Sequence, residues 1–320
     1  MTATAPDFAV IVAAYEAERT IGEALQSALD QTLPATQIIV CDDGSGDRTA
    51  AIVESFGRRV KLIRRRNQGP AAARNAAIGA ATADWVVNLD ADDLLLPGNL
   101  AARATLLAAE PDLEIIATDG LVEVDGVVRR NFYGPSWRFE AGDQRRGILE
   151  RCFIIGWAVR RRSFLAAGGF DPGLTHAEDW ECFIRMILAG ARAGFVDEPL
   201  ARYRLRPGSL SSQAVALQEG HVRAMRKTAA DARLTPLERE RVGAAIASYE
   251  AELRLARLRE AVLEGGAAAR AEARKALRRA DTPLPTRAKA SLALIAPGLA
   301  RRVAARRGRE TGAGVTLPVE

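Results

Sequence analysis

The sequence predicts an α/β fold: a doubly wound, mainly parallel sheet with flanking helices, followed by a helical C-terminal extension. Three observations carry this reading. Over the first 100 residues, short and continuously apolar runs alternate with helix-period stretches. After residue 112 hairpin signals appear, and beyond residue 212 the chain becomes rich in Ala, Arg and Glu. Continuous apolarity suits parallel strands buried on both faces, and repeated strand–helix units imply right-handed crossovers.

In chain order, strands are expected at residues 8–15 (FAVIVAAY), 37–43 (QIIVCDD), 60–64 (VKLIR) and 84–90 (DWVVNLD). Helices are expected at 20–31, 48–56 and 70–81. In the first, Thr20 caps, Glu23 closes a capping box, and Ile21, Ala24, Leu25, Ala28 and Leu29 form the apolar stripe. Residues 121–124 and 127–130 flank Asp125-Gly126, a hairpin signal. Another strand is expected at 152–159, and a helix at 180–188 turns Phe183, Ile184, Ile187 and Leu188 inward. The Pro/Gly/Ser loop at 205–212 ends this part of the chain. Beyond it, Val242, Ile246, Tyr249, Leu253, Ala256 and Leu263 make a heptad-like stripe ending at Gly265-Gly266. It is read either as a bundle packing on its own domain or as an intermolecular coiled coil.

Composition narrows the function. In 320 residues, 48% hydrophobic and 27% charged content excludes a disordered chain, and 5% aromatics argues against a base-stacking nucleic-acid platform. No apolar run reaches the roughly 18 residues of a spanning helix. The N-terminal segment carries Asp7 before its apolar run and reads as a strand, not a signal peptide. Cys41, Cys152 and Cys182, odd in number and far apart, suggest a reducing cytoplasm. The formal charge of +5 is unevenly placed: residues 1–210 hold 24 basic against 28 acidic side chains, residues 211–320 hold 21 against 12.

Ligands of doubly wound sheets bind beyond the carboxyl ends of the strands, and acids collect there. Asp90-Ala91-Asp92 ends the fourth strand, and period-two geometry throws both carboxylates to one side while Asp93 points away or caps the next segment. Two such oxygen anions suit Mg²⁺ or Mn²⁺. Asp42-Asp43-Gly44-Ser45-Gly46-Asp47 comes directly after the second strand, with Asp47 placed to cap the next helix. Adjacent acids there are costly unless a cation or a donor-rich ligand answers them. The helix opening at Gly69-Pro70 offers N–H groups and Arg74 to a phosphate, unless Arg74 pairs with one of these carboxylates. Glu178-Asp179 stands at a helix start, either as a cap or as a general base.

Together VIVAAYEAERTIGEAL, IIVCDDGSGDRT, NQGPAAARNAAI, WVVNLDADDLLLPGNL, GGFD…HAEDWE and YRLRPGSLS, in that order, resemble the family-2 glycosyltransferases of the GT-A fold over about residues 7–212. The resemblance implies an inverting transfer of a hexosyl-type sugar from a nucleoside diphosphate sugar to an acceptor hydroxyl. It places Ala13 and Tyr15 beside the nucleobase, Asp42 as acceptor of the base's hydrogen bonds, and Arg74 near the nucleotide. Asp90 and Ala91 approach the ribose or the metal shell, Asp92 is the principal contact of Mn²⁺ or Mg²⁺, and Asp179 is the general base with Glu178 beside it. The first motif reads Ala13-Ala14-Tyr15-Glu16 where the family often has Pro-Ala-Tyr-Asn. Arg206 stands where a metal-binding His is common; it, and Arg204 as well, is expected on the diphosphate. With no Gln-x-x-Arg-Trp motif and no spanning helix, one sugar is expected per encounter.

The chain is thus expected to divide into a GT-A nucleotide-sugar domain at 1–212, a helical extension at 213–284 and a basic amphipathic tail at 285–320. Acceptor choice, for a glycan or lipid-linked acceptor of the cell envelope, is expected from the loops between 118 and 178, including Trp137, Trp157 and His176. The tail carries Arg287, Lys289, Arg301, Arg302, Arg306, Arg307 and Arg309 and no acid between 287 and 309, with Pro297-Gly298 breaking it in two. It reads as a surface for an anionic membrane, at the cytoplasmic face, or as a solubilising tail. DNA is a poorer partner, for want of a recognition motif. Oligomeric state, donor base and sugar stay open. A dinucleotide-dependent oxidoreductase lacks its G-x-G-x-x-G after the first strand, and a nucleotidyltransferase its Gly-rich loop. A degenerate, merely binding relative is opposed by the intact Asp90, Asp92 and Asp179.

Overall fold

The computed structural model describes residues 6–124, 126–133, 139–152, 154, 156–205, 213–279 and 282–310, without the side chains of residues 130 and 306–310. Arg206 and Trp137 lie outside the described residues. Two compact units emerge, one up to Arg204 together with Ala232–Leu234, the other from Leu205–Asp231 and from Thr235 onward.

The first unit is built on one mixed sheet. Strand β1 (Phe8–Ala14) leads through helix α1 (Ile21–Leu29) to β2 (Gln37–Asp42), then through α2 (Thr49–Ser55) to β3 (Lys61–Arg64), and through α3 (Pro70–Ala80) to β4 (Trp85–Asn88). These four lie parallel in the order β3-β2-β1-β4, with Val10 opposite both Ile38 and Val87. Because β2 and β3 step outward on one side of β1 and β4 lies on the other, a crevice opens between the carboxyl ends of β1 and β4. Phe8, Val10, Val12, Ile38, Val40, Trp85 and Val87 fill the core with the inner face of α1.

The rest of the sheet is antiparallel. After β5 (Leu94–Leu95) and α4 (Asn99–Ala109), β6 (Ile115–Val124) pairs with β7 (Val127–Asn131); Val124 faces Val127, and Gly126 has φ +77°. Helix α5 (Gln144–Glu150), β8 (Ala158–Arg160), α6 (Arg161–Ala166), α7 (Glu178–Leu188) and β9 (Ala193–Leu205) complete the unit, with β8 between β4 and β6. Among the described residues, the strand expected over 152–159 is seen only at Ala158–Arg160; before it, Arg103, fully buried, ties the Gly156 carbonyl to α4 and β6 instead of leaving it to a ladder. Nor does Glu23 close a capping box. Thr20 Oγ1 bonds back to the Ala17 carbonyl, and Glu23 pairs with Arg204.

The second unit is helical. It comprises α8 (Ala214–Ala229), α9 (Pro236–Glu264), α10 (Gly266–Arg278), α11 (Leu284–Ile295) and α12 (Pro297–Glu310). A capping box does open α9, where Thr235 Oγ1 accepts from Glu238 N and Glu238 accepts from Thr235 N. Only Val242 of the expected heptad stripe is buried, and Leu263 is 41% exposed. A straight helix drifts off a seven-residue repeat, so burial passes to Leu258, Ala261 and Val262. These pack on α10, α11 and α12 through small residues, chiefly Ala273, Ala276, Ala290, Ala293 and Ala300.

Candidate functional site

Of the acids expected at the site, Asp90 and Glu178 meet on Arg74. This residue projects from the second turn of α3, a helix whose entry at Gly69-Pro70 combines a positive-φ glycine with proline at its first position. Its guanidinium donates to Asp90 Oδ1 at 2.8 Å and to Glu178 Oε1 at 2.5 Å, bridging the chain after β4 to the first residue of α7. Of the two readings of Arg74, the ion pair with the carboxylates is the one seen here. Asp90 also accepts from Asn88 Nδ2 at 3.1 Å. Burial pushes Asp90 upward, but the charge and hydrogen bond of Arg74, with Asn88, hold it below the ordinary aspartate value.

Residues 90–93 form a turn closed by Asp93 N donating to the Asp90 carbonyl at 3.0 Å. The strand ends at Asn88, so the period-two argument for Asp90 and Asp92 does not hold; the turn, not a pleat, orients them. Asp93 is buried and accepts from Arg204 N at 2.9 Å. Burial, then the charges of Asp92 and Asp90, drive its carboxyl well above the usual range. Arg204 is spent on structure rather than on a phosphate: its guanidinium bonds the Asp92 carbonyl and Glu23. Ala91 packs in the core between the two acids.

At β2, the two adjacent acids part company. Asp42 Oδ1 accepts from Ser45 N and Oγ, at 3.2 and 2.5 Å. Asp43 turns the other way, accepting from Gln68 N at 3.0 Å and Gly69 N at 2.7 Å and pairing with Arg65 at 3.1 Å. It thereby occupies N–H groups at the entry of α3 that the sequence offered to a phosphate. Gly44 makes this possible: at φ +84° a Cβ would stand 3.0 Å from Asn67 N and 3.2 Å from the Arg65 carbonyl. Asp47 holds Thr49 N at 2.9 Å and reaches Glu18 N at 3.0 Å. Beyond β1, Ala13 lies at the strand's carboxyl end opposite Cys41, and the Tyr15 ring is 54% exposed.

Across the crevice, α7 begins with the acid pair. Ala177, just before it, has φ +60°, a left-handed conformation that costs a β-carbon residue energy and persists only where neighbours impose it. Before it, the turn at Phe170 is tied to α3 by Asn75, which accepts from Phe170 N at 3.0 Å and donates to the Phe170 carbonyl at 2.8 Å. Asp179 Oδ1 accepts from Trp180 N at 2.7 Å. Burial, then the charge of Glu178, against the pull of Arg74, raises Asp179 to about 7. A carboxyl poised there can take a proton near neutral pH. Trp157 is core, edge-on to Phe170 and Phe183 at 5.5 and 5.7 Å, and not a wall of an acceptor pocket. His176 is buried, its Nδ1 3.3 Å from Thr175 Oγ1.

Sequence reasoning did not foresee the tie of Asn75 to Phe170, nor the partners of Glu23, Asp93 and Asp43, which are Arg204 for the first two and the entry of α3 for the third. Among the described residues no group of three or more His, Cys, Asp or Glu side chains is placed to hold a metal unaided.

The model of the family described as "Glycosyl transferase family 2" matches residues 9–169, half of the chain, and ends short of Glu178 and Asp179. A relative from Rhizobium meliloti strain 1021, named succinoglycan biosynthesis protein ExoO, is 31% identical over 69% of this chain. The chain spans 66% of that relative's length, less than two thirds. Among solved structures, S. aureus TarS 1-349 in complex with UDP-GlcNAc is 20% identical with a TM-score of 0.64, over 95% of this chain and 92% of that one. The mannosyltransferase PcManGT from Pyrobaculum calidifontis, in complex with GDP-Man and Mn2+, is 20% identical with a TM-score of 0.61, over 98% and 88%. Both share the fold.

Proposed function

Because the chain belongs to glycosyl transferase family 2, we propose that it moves a hexosyl-type sugar from a nucleoside diphosphate donor to an acceptor hydroxyl, with inversion and one sugar per encounter. The observation that supports this best is the bridge Asp90–Arg74–Glu178, which sets Asp90, read as an acid of the donor side, beside the pair Glu178 and Asp179. Tyr15 and Asp42 are read as the nucleobase contacts, the first an exposed ring, the second a carboxylate whose Oδ1 alone is taken by Ser45. The likeness to folds solved with UDP-GlcNAc and with GDP-Man leaves uracil and guanine both open.

Asp179 is read as the general base. In a single displacement it takes the proton of the acceptor hydroxyl while that oxygen bonds to the anomeric carbon. The bond from that carbon to the diphosphate oxygen breaks, and its electron pair leaves with the diphosphate, so configuration inverts once. Glu178, anchored by Arg74, fixes where the base stands.

Asp92 and Asp90 are the residues that would hold Mn²⁺ or Mg²⁺. The donor set fits: these hard cations are bound by one or two carboxylates and complete their shell with phosphate oxygens and water, which needs no third protein ligand. Bound there, the cation offsets the charge gathering on the departing diphosphate. Arg206 is read as a second, protein-borne charge on that diphosphate. The acceptor is read as a growing glycan of the cell envelope, free or lipid-linked, consistent with a relative named for succinoglycan biosynthesis.

The test is release of nucleoside diphosphate from a panel of UDP-, GDP- and dTDP-sugars with Mn²⁺, Mg²⁺ or EDTA and a set of saccharide acceptors. Asp179→Ala is expected to lower turnover by about 10²- to 10⁴-fold with donor affinity retained. Donor binding without turnover across every acceptor would point to a binding protein instead, and turnover surviving Asp179→Ala would displace it as the base.

A further inference from the structure

Helices α11 and α12 sort their side chains inside out. What they bury fully is small: Thr286, Ala290, Ala293 and Ala300, the alanines packed with Leu258, Val262 and Ala273, while Leu292 and Leu294 are only partly buried against that cluster. What they leave outside is large and apolar: Leu284 is 81% exposed, Ile295 83%, Leu299 48% and Val303 43%. Burying a Leu or Ile side chain stabilises a fold by about 1.5–3 kcal/mol. A helical pair that served only its own unit would bury these and expose its alanines. Ile295 ends α11, and Leu299 and Val303 are one turn apart on α12, so three of the four lie within six residues of the corner at Pro297.

Charge identifies what covers this corner. Residues 287–309 contain seven Lys or Arg and no acid, and Arg301 and Arg302, flanked by Leu299 and Val303, are exposed. A second copy of the chain would meet this face with the same positive charge. A neutral apolar groove would leave the arginines unanswered. An anionic bilayer answers both, taking apolar side chains at its acyl boundary and cations at its headgroups. We propose that the α11–α12 corner is a membrane-surface anchor, which inserts Ile295, Leu299 and Val303 and sets Arg301 and Arg302 on anionic phospholipid headgroups. It lies on the bilayer and does not span it: among the described residues no helix is long and apolar enough to cross. The anchor rests on neither the donor site nor the acid pair, so its failure leaves the proposed reaction standing, and the converse holds.

The experiment is co-sedimentation of the full chain with vesicles of phosphatidylcholine alone or with about a third phosphatidylglycerol. Binding is expected to the anionic vesicles and to fall with salt. Arg301→Gln with Arg302→Gln is expected to weaken it about 25-fold, roughly fivefold for each basic residue. Ile295→Ser with Leu299→Ser is expected to weaken it by about tenfold or more. All four side chains are exposed, and circular dichroism checks that the helices persist. Absence of binding to anionic vesicles, or equal binding to neutral ones, overturns the proposal. Binding indifferent to the Ile295/Leu299 pair overturns it in favour of a soluble-polyanion site. Loss of an oligomer in that pair, with no vesicle binding by the parent, makes the face an interface between copies.

Discussion

Asp179 combines two properties that pull against each other. Burial and the neighbouring Glu178 raise it to about 7, so the folded chain holds a proton that the unfolded chain has already released. Between about pH 4 and pH 7 the folded state therefore binds more protons, and stability falls as pH rises through that window. Below about pH 4 the group costs nothing. Asp179→Asn is expected to leave stability unchanged at pH 4 and to increase it by about 2 kcal/mol at pH 8, water at the partly open carboxylate screening the rest. Urea unfolding at the two pH values measures this. The same substitution abolishes transfer if Asp179 is the base. In the parent, kcat/KM is expected to rise about tenfold per pH unit up to about 7 and then level. A profile flat from pH 5 to 9 would separate Asp179 from the proton transfer.

Helix α3 holds the site together, and Arg74 is the residue through which it does so. Buried between Asp90 and Glu178, Arg74 is kept firmly protonated by both, with Asp179 adding to their pull. Arg74→Met leaves the buried Glu178 facing the partly open Asp90 without a cation. The expected loss is about 3–5 kcal/mol of stability by chemical denaturation, with the acid limb of the kcat/KM profile moved to higher pH as Arg74's hold on Asp179 disappears. Arg74→Lys is expected to recover part of the stability and less of the geometry, since an ammonium cannot fork to both partners. The parallel half of the sheet was legible because buried parallel strands read as unbroken apolar runs such as VIVAA and QIIVC. The 193–205 strand was not: its Asp197, Glu198 and Arg202 are half-exposed or exposed, and Pro199 interrupts the pattern. For the same reason the acids at strand ends could be found but not sorted. Nothing local tells that Asp43 closes on the entry of α3 while Asp42 closes on Ser45, because Gln68 and Gly69 lie 25 and 26 residues away from Asp43.

At the scale of the molecule, two cores of different make coexist. The sheet unit rests on large side chains, Phe8, Trp85 and Ile116 among them, whereas the helical cluster rests mainly on alanine with Leu258 and Val262. The sequence showed the division through charge, with the acidic excess before residue 210 and the basic excess after it. It did not show which helical residues are inside, because alanine is apolar enough to bury and small enough to expose. Two cores predict two calorimetric transitions, the helical one at lower temperature, since each alanine buries less apolar area than the side chains of the sheet. A ligand raises only the transition of the unit that binds it, by about 2.7 kcal/mol at a hundredfold excess over its dissociation constant. The matching nucleoside diphosphate with Mn²⁺ is therefore expected to move the upper transition and leave the lower one in place, and Asp92→Ala is expected to remove the part of that shift that EDTA also removes. A donor that moved the lower transition alone would take the nucleotide site out of the sheet crevice and put it on the helices, where none of Tyr15, Asp42, Asp90 or Asp92 could serve it.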